Sequence, residues 1–425
     1  MAEAVRFRPF VEVEGDTYLP TVPGADLWAL RDLFEGALKE NAAYLAHRAQ
    51  WLEDQSARLA AAALQPDEAH HAVHYAYTTD EGQRVEGEID TLLRCGTTAV
   101  VVEAKSATMR PGARRGGEAL IKHLRETLTK AARQGTQARR ALELGVSLGT
   151  KNGAEVELGN EVHEIQPVVV TLDDLSSVAP LLWELEGTKT MPSGVTLPWV
   201  VTLNELELIV STVEWPTQLI HFLRRRSRLN ELGGHVATDE LDWWMHYLQH
   251  GLYFEDAPEM RTRFLSLTDP LDAWVLYERG VRDAPAPKPA MSLPKGSRAF
   301  VELLCSERPD GWVEAGCTML EIDSDAQAEF WKDIKKMRKR ARRRGKVQRR
   351  CLSFTEGAEP LLVCAVIAPD AGRDSLLDSL RRYAGERIEE WGRQRVLGIG
   401  RAASSKRPYD ALVVISRRQL NGSSV

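Results

Sequence analysis

The stretch 87-GEIDTLLRCGTTAVVVEAK-105 decides the reading of this chain. Glu88-Ile89-Asp90 opens it, Glu103-Ala104-Lys105 closes it, and the residues between are mostly apolar. Charge buried in a sheet is costly unless a partner or a metal neutralises it, so these four side chains either face solvent or form a site. Gly96-Thr97 fits the centre of a two-residue hairpin, with glycine at the first central position as a type II′ turn requires. Cys95 then pairs with Thr98, and the same register sets Asp90 opposite Glu103 and Glu88 opposite Lys105. Side chains directly opposite have Cβ atoms roughly 4.5–5.5 Å apart. Two carboxylates that close repel unless a cation sits between them. A hard divalent ion such as Mg²⁺, which takes oxygen ligands at about 2.0–2.1 Å, meets that need.

The flanking sequence predicts the elements around this hairpin. Residues 24–64 are Ala/Leu-rich, with Leu27, Leu30, Phe34, Leu38, Ala42 and Leu45 at helical spacing, so one long helix or two abutting ones follow Asp26 as N-cap. Residues 72–79 read as a strand, and Ala99–Val102 as a strand buried on both faces. Residues 116–145 form a second long helix, and 164–174 a further strand. Beyond them, 197–213 read as a strand and a short helix. Residues 216–280 are helical, with Thr238 as N-cap of the helix carrying Trp243-Trp244, a pair expected in the core. The four prolines of 284–297 mark a linker. A last α+β part follows, with strands at 299–305, 360–369 and 409–416 and a helix at 375–394.

Asp, then Glu-x-Lys on the next strand, within an αβββαβ order, resembles the PD-(D/E)XK superfamily, the restriction-endonuclease-like and Holliday-junction-resolvase-like nucleases. The resemblance rests on Glu88, Asp90, Glu103 and Lys105 and spans about residues 26–174. Ile89 departs from it, since proline commonly precedes that Asp. The resemblance implies an α/β fold, a central mixed sheet flanked by helices. It also implies an Mg²⁺- or Mn²⁺-dependent nuclease, a DNA endonuclease of defence or repair. Asp90 and Glu103 would hold the metal, Lys105 would orient water or meet charge on phosphorus, and Glu88 would fix the lysine or add a metal contact. A glutamine from the following helix, Gln134 or Gln137, and a glutamate from the first helix, Glu35, Glu40 or Glu53, would complete the site. The expected organisation is a nuclease-like domain (1–212), a helical extension (213–283), a Pro-rich linker (284–297) and a basic α+β C-terminal domain (298–425).

Net charge is −6, but residues 332–350 hold twelve basic residues and one acidic, a local +11 that leaves −17 elsewhere. Phe330, Ile334, Met337 and Ala341 make an apolar stripe on that stretch, so it reads as a helix docked by the stripe. Its other faces offer Lys335, Lys336, Arg338, Lys339, Arg340, Arg342, Arg343 and Arg344 to phosphates. Arg224-Arg225-Arg226 and Arg110–Arg115 are weaker basic runs. The expected partner is nucleic acid, DNA before RNA, with no membrane and with a homodimer as one allowed assembly.

Five cysteines without a CxxC pair argue against a disulfide framework, and the first residues lack a signal-peptide stretch, so a cytoplasmic protein is expected. His70/His74 and His246/His250 have metal-pair spacing without a third ligand, which favours packing or surface roles. Residues 398–406 imitate a phosphate loop without its spacing and read as a turn. Two other classes compete: a nuclease-fold protein that binds nucleic acid without cutting it, and a scaffold whose basic helix docks an acidic partner. The intact Asp90, Glu103 and Lys105 speak against the first.

Overall fold

Cys95 pairs with Thr98 in the computed structural model, and the expected hairpin register holds back to Thr91 opposite Val102. The structure describes residues 10–15, 17–20, 30, 34–109, 111–114, 117–150, 152–159, 162–173, 175, 178–179, 182–186, 190–191, 193–254, 262–264, 267–354, 361–393 and 395–416. A hairpin of β1 (Phe10–Glu14) and β2 (Thr17–Pro20) precedes helix α1 (Ala42–Leu64). Strands β3 (Glu68–Thr78), β4 (Arg84–Cys95) and β5 (Thr98–Lys105) follow. Helix α2 (Gly117–Leu124) runs through a π turn at Arg125–Thr129 into α3 (Lys130–Glu143). Short strands β6 (Leu148–Thr150) and β7 (Glu155–Val156) then lead to β8 (Glu164–Thr171) and β9 (Trp199–Thr202). The seven strands β3–β9 form one mixed sheet in the order β7-β6-β3-β4-β5-β8-β9, with β5, β8 and β9 parallel.

This is an α/β fold with a large mixed sheet flanked by helices. Val100 and Val102 of β5 join the apolar cluster of Leu52 and Leu59 from α1, while Ala99 and Val101 join that of Ala138 and Ala141 from α3. A strand covered on both faces needs no polar alternation, which is why 99–102 is an unbroken apolar run. Of the expected one long helix or two abutting ones, the described residues show two: residues 34–38 are helical, 39–40 form a turn, and α1 follows. Asp26 and Leu27 lie outside the described residues, Leu30 and Phe34 are exposed, and α1 starts behind Asn41, whose side chain accepts the Tyr44 N–H. An asparagine that satisfies an orphan first-turn donor sets a helix start that apolar spacing alone does not reveal.

Helix α4 (Leu203–Thr212) begins at a Thr202/Glu205 capping box, and α5 (Pro216–Leu232), α6 (Glu240–His250) and α7 (Asp269–Glu278) follow, with β10 (His235–Ala237) and β11 (Thr262–Phe264) as a small separate pair. The N-cap of α6 is Asp239, not Thr238: its carboxylate accepts the Asp242 N–H at 3.0 Å. The Pro-rich stretch is irregular to Pro294, and α8 (Lys295–Glu307) starts inside the expected linker. Residues 299–305, expected as a strand, lie in α8, where Phe300, Val301 and Leu304 form its buried face. A short apolar run fits either element, and here tertiary packing chose the helix.

Helices α9 (Trp312–Leu320) and α10 (Ser324–Arg344) lead into a second sheet, β12 (Gln348–Phe354), β13 (Leu361–Ala368), β14 (Arg395–Ala402) and β15 (Ala411–Ser416), in that order, with α11 (Arg373–Glu390) crossing between parallel β13 and β14. Gly398 and Gly400, expected in a turn, belong to β14. A Cβ at either would lie 3.0 Å from Leu380 or Leu376, so glycine lets α11 lie close to the strand.

The C-terminal part meets the seven-stranded sheet at the hairpin tip. A Cβ on Gly96 would lie 3.3 Å from Val313 of α9, and Arg308 reaches Asp67 at 2.8 Å. Arg224 of α5 binds both Glu164, at the start of β8, and Glu314 of α9. One apolar cluster contains Leu52 and Leu93 together with Phe300, Val363 and Leu397.

Candidate active site

Beyond Thr91–Val102 the β4–β5 ladder stops, although β5 continues to Lys105 against β8 and β4 continues against β3. In the gap the Asp90 carboxylate accepts the Ala104 N–H at 2.8 Å, replacing a ladder hydrogen bond with a side-chain one. The β3 side is irregular at the same level. Ala72, which the β3–β4 register sets beside Asp90, has φ +48 and drops out of the ladder. That conformation costs an L-residue roughly 1–2 kcal/mol. Ile89 and Leu92 enter the same apolar cluster, which strict two-residue alternation forbids. The strand therefore kinks at Asp90 and re-aims its carboxylate, as bulges do.

Glu103, 2% exposed, lies on the segment that Asp90 holds. Its Oε2 accepts from Lys105 Nζ at 3.0 Å, and the same ammonium donates to Gln134 Oε1 at 3.0 Å. Of the two glutamines considered, Gln134 therefore is the one that reaches the lysine. The π turn precedes it in the same helix and shifts the face that α3 presents. Burial first, and then the charge of Asp90, push Glu103 up to about 7 against the pull of Lys105. Burial likewise raises Asp90, opposed by the Ala104 N–H and Lys105.

Glu53 of α1 belongs to the same electrostatic group. Burial, then Asp90 and Glu88, hold its carboxyl above the ordinary range. Glu35 instead accepts from Tyr44 Oη at 2.8 Å and from Arg48, and Glu40 is exposed. Apolar spacing alone does not rank these three: Glu35 lies on the helical stretch 34–38, Glu40 in the turn after it and Glu53 on α1. Glu88 does not meet Lys105. It stands across from His74 on β3, 3.9 Å away, with both side chains well exposed. The divergence of β4 from β5 at Asp90 separates a pair that an unbroken ladder would have joined.

Glu103 Oε1 is buried without a hydrogen bond. Such an oxygen is costly unless something positive reaches it. Among the described residues no three His, Cys, Asp or Glu side chains form a cage. Asp90 and Glu103 thus offer the two-carboxylate kind of site in which Mg²⁺ keeps waters or phosphate oxygens as its other ligands. The donors fit that ion.

Other expected features fall into structural roles. Trp243 and Trp244 are fully buried. His246 stacks on Phe254, and burial, then His250, lowers it to about 4. Arg224-Arg225-Arg226 is not a surface patch: Arg225 donates to the Leu252 carbonyl at 2.7 Å and Arg226 pairs with buried Glu240 at 2.7 Å. Arg110 and Arg115 lie outside the described residues. On α10 the apolar stripe is buried as expected, and Lys335, Lys339, Arg340, Arg343 and Arg344 are exposed. Lys336 is tied to Asp333 at 3.0 Å, while Arg338 and Arg342 are engaged by backbone carbonyls. No described helix is long and apolar enough to cross a membrane.

No family model matches the chain, and no curated protein matches it. Among solved structures, the small subunit of a heterodimeric restriction endonuclease matches at 11% identity over 43% of this chain and 84% of its own, with a TM-score of 0.21. The Vibrio cholerae protein VC1899 matches at 14% identity over 48% of this chain and 38% of its own, with a TM-score of 0.20. Superpositions that loose support neither fold nor chemistry.

Proposed function

We propose that this chain is a metal-dependent nuclease that hydrolyses phosphodiester bonds, built on a restriction-endonuclease-like core of α1, β3–β5, α3 and β8. One observation carries the reading. Where the sheet opens, Asp90 and Glu103, both pushed up by burial, meet an ammonium that Glu103 and Gln134 fix at 3.0 Å each. Mg²⁺ or Mn²⁺ on Asp90 and Glu103 would polarise a phosphate and lower the pKa of a bound water. Asp90 holds the end of β5 through Ala104 and so keeps Glu103 and Lys105 in place. Glu103 holds the lysine through Oε2, and its other oxygen, buried without a hydrogen bond, would be available to the ion. Lys105 orients the attacking water or meets the charge that grows on phosphorus, and Gln134 keeps its ammonium from swinging out. Glu53 adds a carboxylate from α1. DNA is the proposed substrate, in defence or repair, with residues 1–212 as the catalytic unit and 298–425 assisting.

The test is cleavage of supercoiled plasmid, linear duplex and single-stranded DNA with Mg²⁺, Mn²⁺ or EDTA, comparing wild type with Asp90→Asn and Lys105→Ala. Metal-dependent cutting that both substitutions abolish is the expected result. Cutting that survives both assigns the wrong residues, and binding without cutting makes the chain a non-catalytic nucleic-acid-binding protein.

A further inference from the structure

Helix α10 carries two kinds of basic residue. Arg338 and Arg342 turn toward the segment after β14: Arg338 donates to the carbonyls of Ala403 and Ser405, and Arg342 Nε to that of Ala403 at 2.9 Å. Arg401, only 6% exposed, reaches the same Ser405 carbonyl at 3.3 Å, and its Nε is buried without a partner. Among the described residues none of these three arginines forms an ion pair. Asp410 acts on Arg338 and Arg401 from a distance, while its carboxylate accepts the Ala402 N–H and the Ser405 hydroxyl. Burial, then Arg338, brings Arg401 down to about 10, and burial, then Arg342, lowers Arg338. Cations that oppose one another in this way gain from an anion placed before them.

Lys335, Lys339 and Arg343, together with Arg338 and Arg342, line an open groove of about 310 Å³ on this helix. Their i, i+4, i+8 spacing makes a stripe about 12 Å long at ~1.5 Å per residue. The lining has no acid and no aromatic ring; Phe330 and Trp331 of the same helix are buried. Single-strand binders stack bases on aromatic side chains, so a groove of cations alone suits the phosphate backbone of a duplex. The groove belongs to the part of the chain that docks at the hairpin tip. From Thr98 at that tip to Lys105, β5 extends about 23 Å at ~3.3 Å per residue.

We propose that the α10 groove is a phosphate-backbone anchor for double-stranded nucleic acid, loaded through Lys335, Lys339 and Arg343, held in shape by Arg338, Arg342 and Arg401, and separate from the carboxylate site. It deepens the nuclease reading by naming where the substrate is held, but the binding itself does not require that reading.

The experiment measures binding of a blunt DNA duplex by fluorescence anisotropy in EDTA, where cutting cannot interfere, across a salt series. Wild type is compared with a Lys335→Glu/Lys339→Glu/Arg343→Glu triple variant. The three reversed side chains are solvent-facing, and circular dichroism checks that the variant is folded. The triple variant should lose at least tenfold in affinity, and its log–log salt slope should fall by about 2.7, three phosphates at ~0.9 each. Wild-type affinity and slope in the triple variant overturn the proposal. So does polyglutamate that displaces the duplex at equal charge, which would make an acidic protein the partner. Absence of cleavage in the separate plasmid assay would sink the nuclease reading and leave the anchor standing.

Discussion

Replacing Glu103 by Gln should make the metal-free protein more stable, and the size of the gain follows from the burial of the carboxylate. Glu103 is 2% exposed and sits at about 7 against an ordinary 4.5. An acid whose pKa rises on folding binds its proton more tightly in the folded state, so its contribution is intact below about pH 4.5 and is lost as pH climbs toward 7. The difference between 4.5 and 7, at ~1.36 kcal/mol per pH unit, comes to about 3 kcal/mol near pH 8. Near pH 5 the same linkage leaves about 1 kcal/mol. Glutamine keeps the shape and removes the charge. The variant should therefore gain up to about 3 kcal/mol near pH 8, less what Lys105 loses with its partner, and much less near pH 5. Urea denaturation in EDTA at the two pH values measures this, with unchanged m-values as the control for two-state behaviour. Mg²⁺ should then stabilise wild type by mass action and leave the variant nearly where it was. Equal stabilities near pH 8, or a gain that persists undiminished near pH 5, would refute the claim that the fold holds a charge there at its own expense.

Glu53→Gln should weaken Mg²⁺ binding by about tenfold in isothermal titration, as loss of a supporting carboxylate typically does; unchanged affinity would leave Glu53 a bystander. Arg226→Leu strands Glu240, which is 0% exposed and accepts from Arg226 at 2.7 Å, and should cost about 3–5 kcal/mol in chemical denaturation. At Gly316, a Cβ would lie 2.6 Å from Thr217 Cγ2. Gly316→Val should therefore push α9 off α5 and lose about 1–3 kcal/mol in thermal unfolding. Cys351 and Cys364 stand directly opposite on β12 and β13 with their Sγ atoms 2.9 Å apart. Diamide should join them, seen as the loss of two hydrogens in the intact mass and absent in Cys351→Ser.

Much of the hairpin is legible in the sequence because a two-residue turn fixes its register by itself. Gly96 sets every pair back to Thr91–Val102, and the apolar run 99–102 marks a strand covered on both sides. Legibility ends where geometry depends on distant partners. Nothing local announces that Ala72 takes φ +48 and that β4 kinks beside it, so Glu88 is misplaced while Asp90 is brought to Ala104. Choosing Gln134 over Gln137 needs the π turn, and choosing Glu53 needs the break at 39–40 that separates α1 from the helical stretch before it. The second sheet is harder still. Gly398 and Gly400 look like turn residues until α11 is seen to lie against them. Likewise, Arg224–Arg226 look like surface until Glu164, Glu314 and Glu240 arrive from elsewhere in the chain.

The meeting at the hairpin tip also bears on how such a chain can be taken apart or recombined. Leu52, Leu93, Phe300 and Leu397 share one apolar cluster, so a cut in the Pro-rich stretch would not yield two intact halves. The N-terminal fragment would keep Gly96 without Val313, Asp67 without Arg308, and Arg224 without Glu314. An enzyme with a tethered accessory domain can exchange it by fusion at the linker. Here the C-terminal part shares its apolar core with the seven-stranded sheet, and a graft would have to reproduce that contact before it could supply a new specificity.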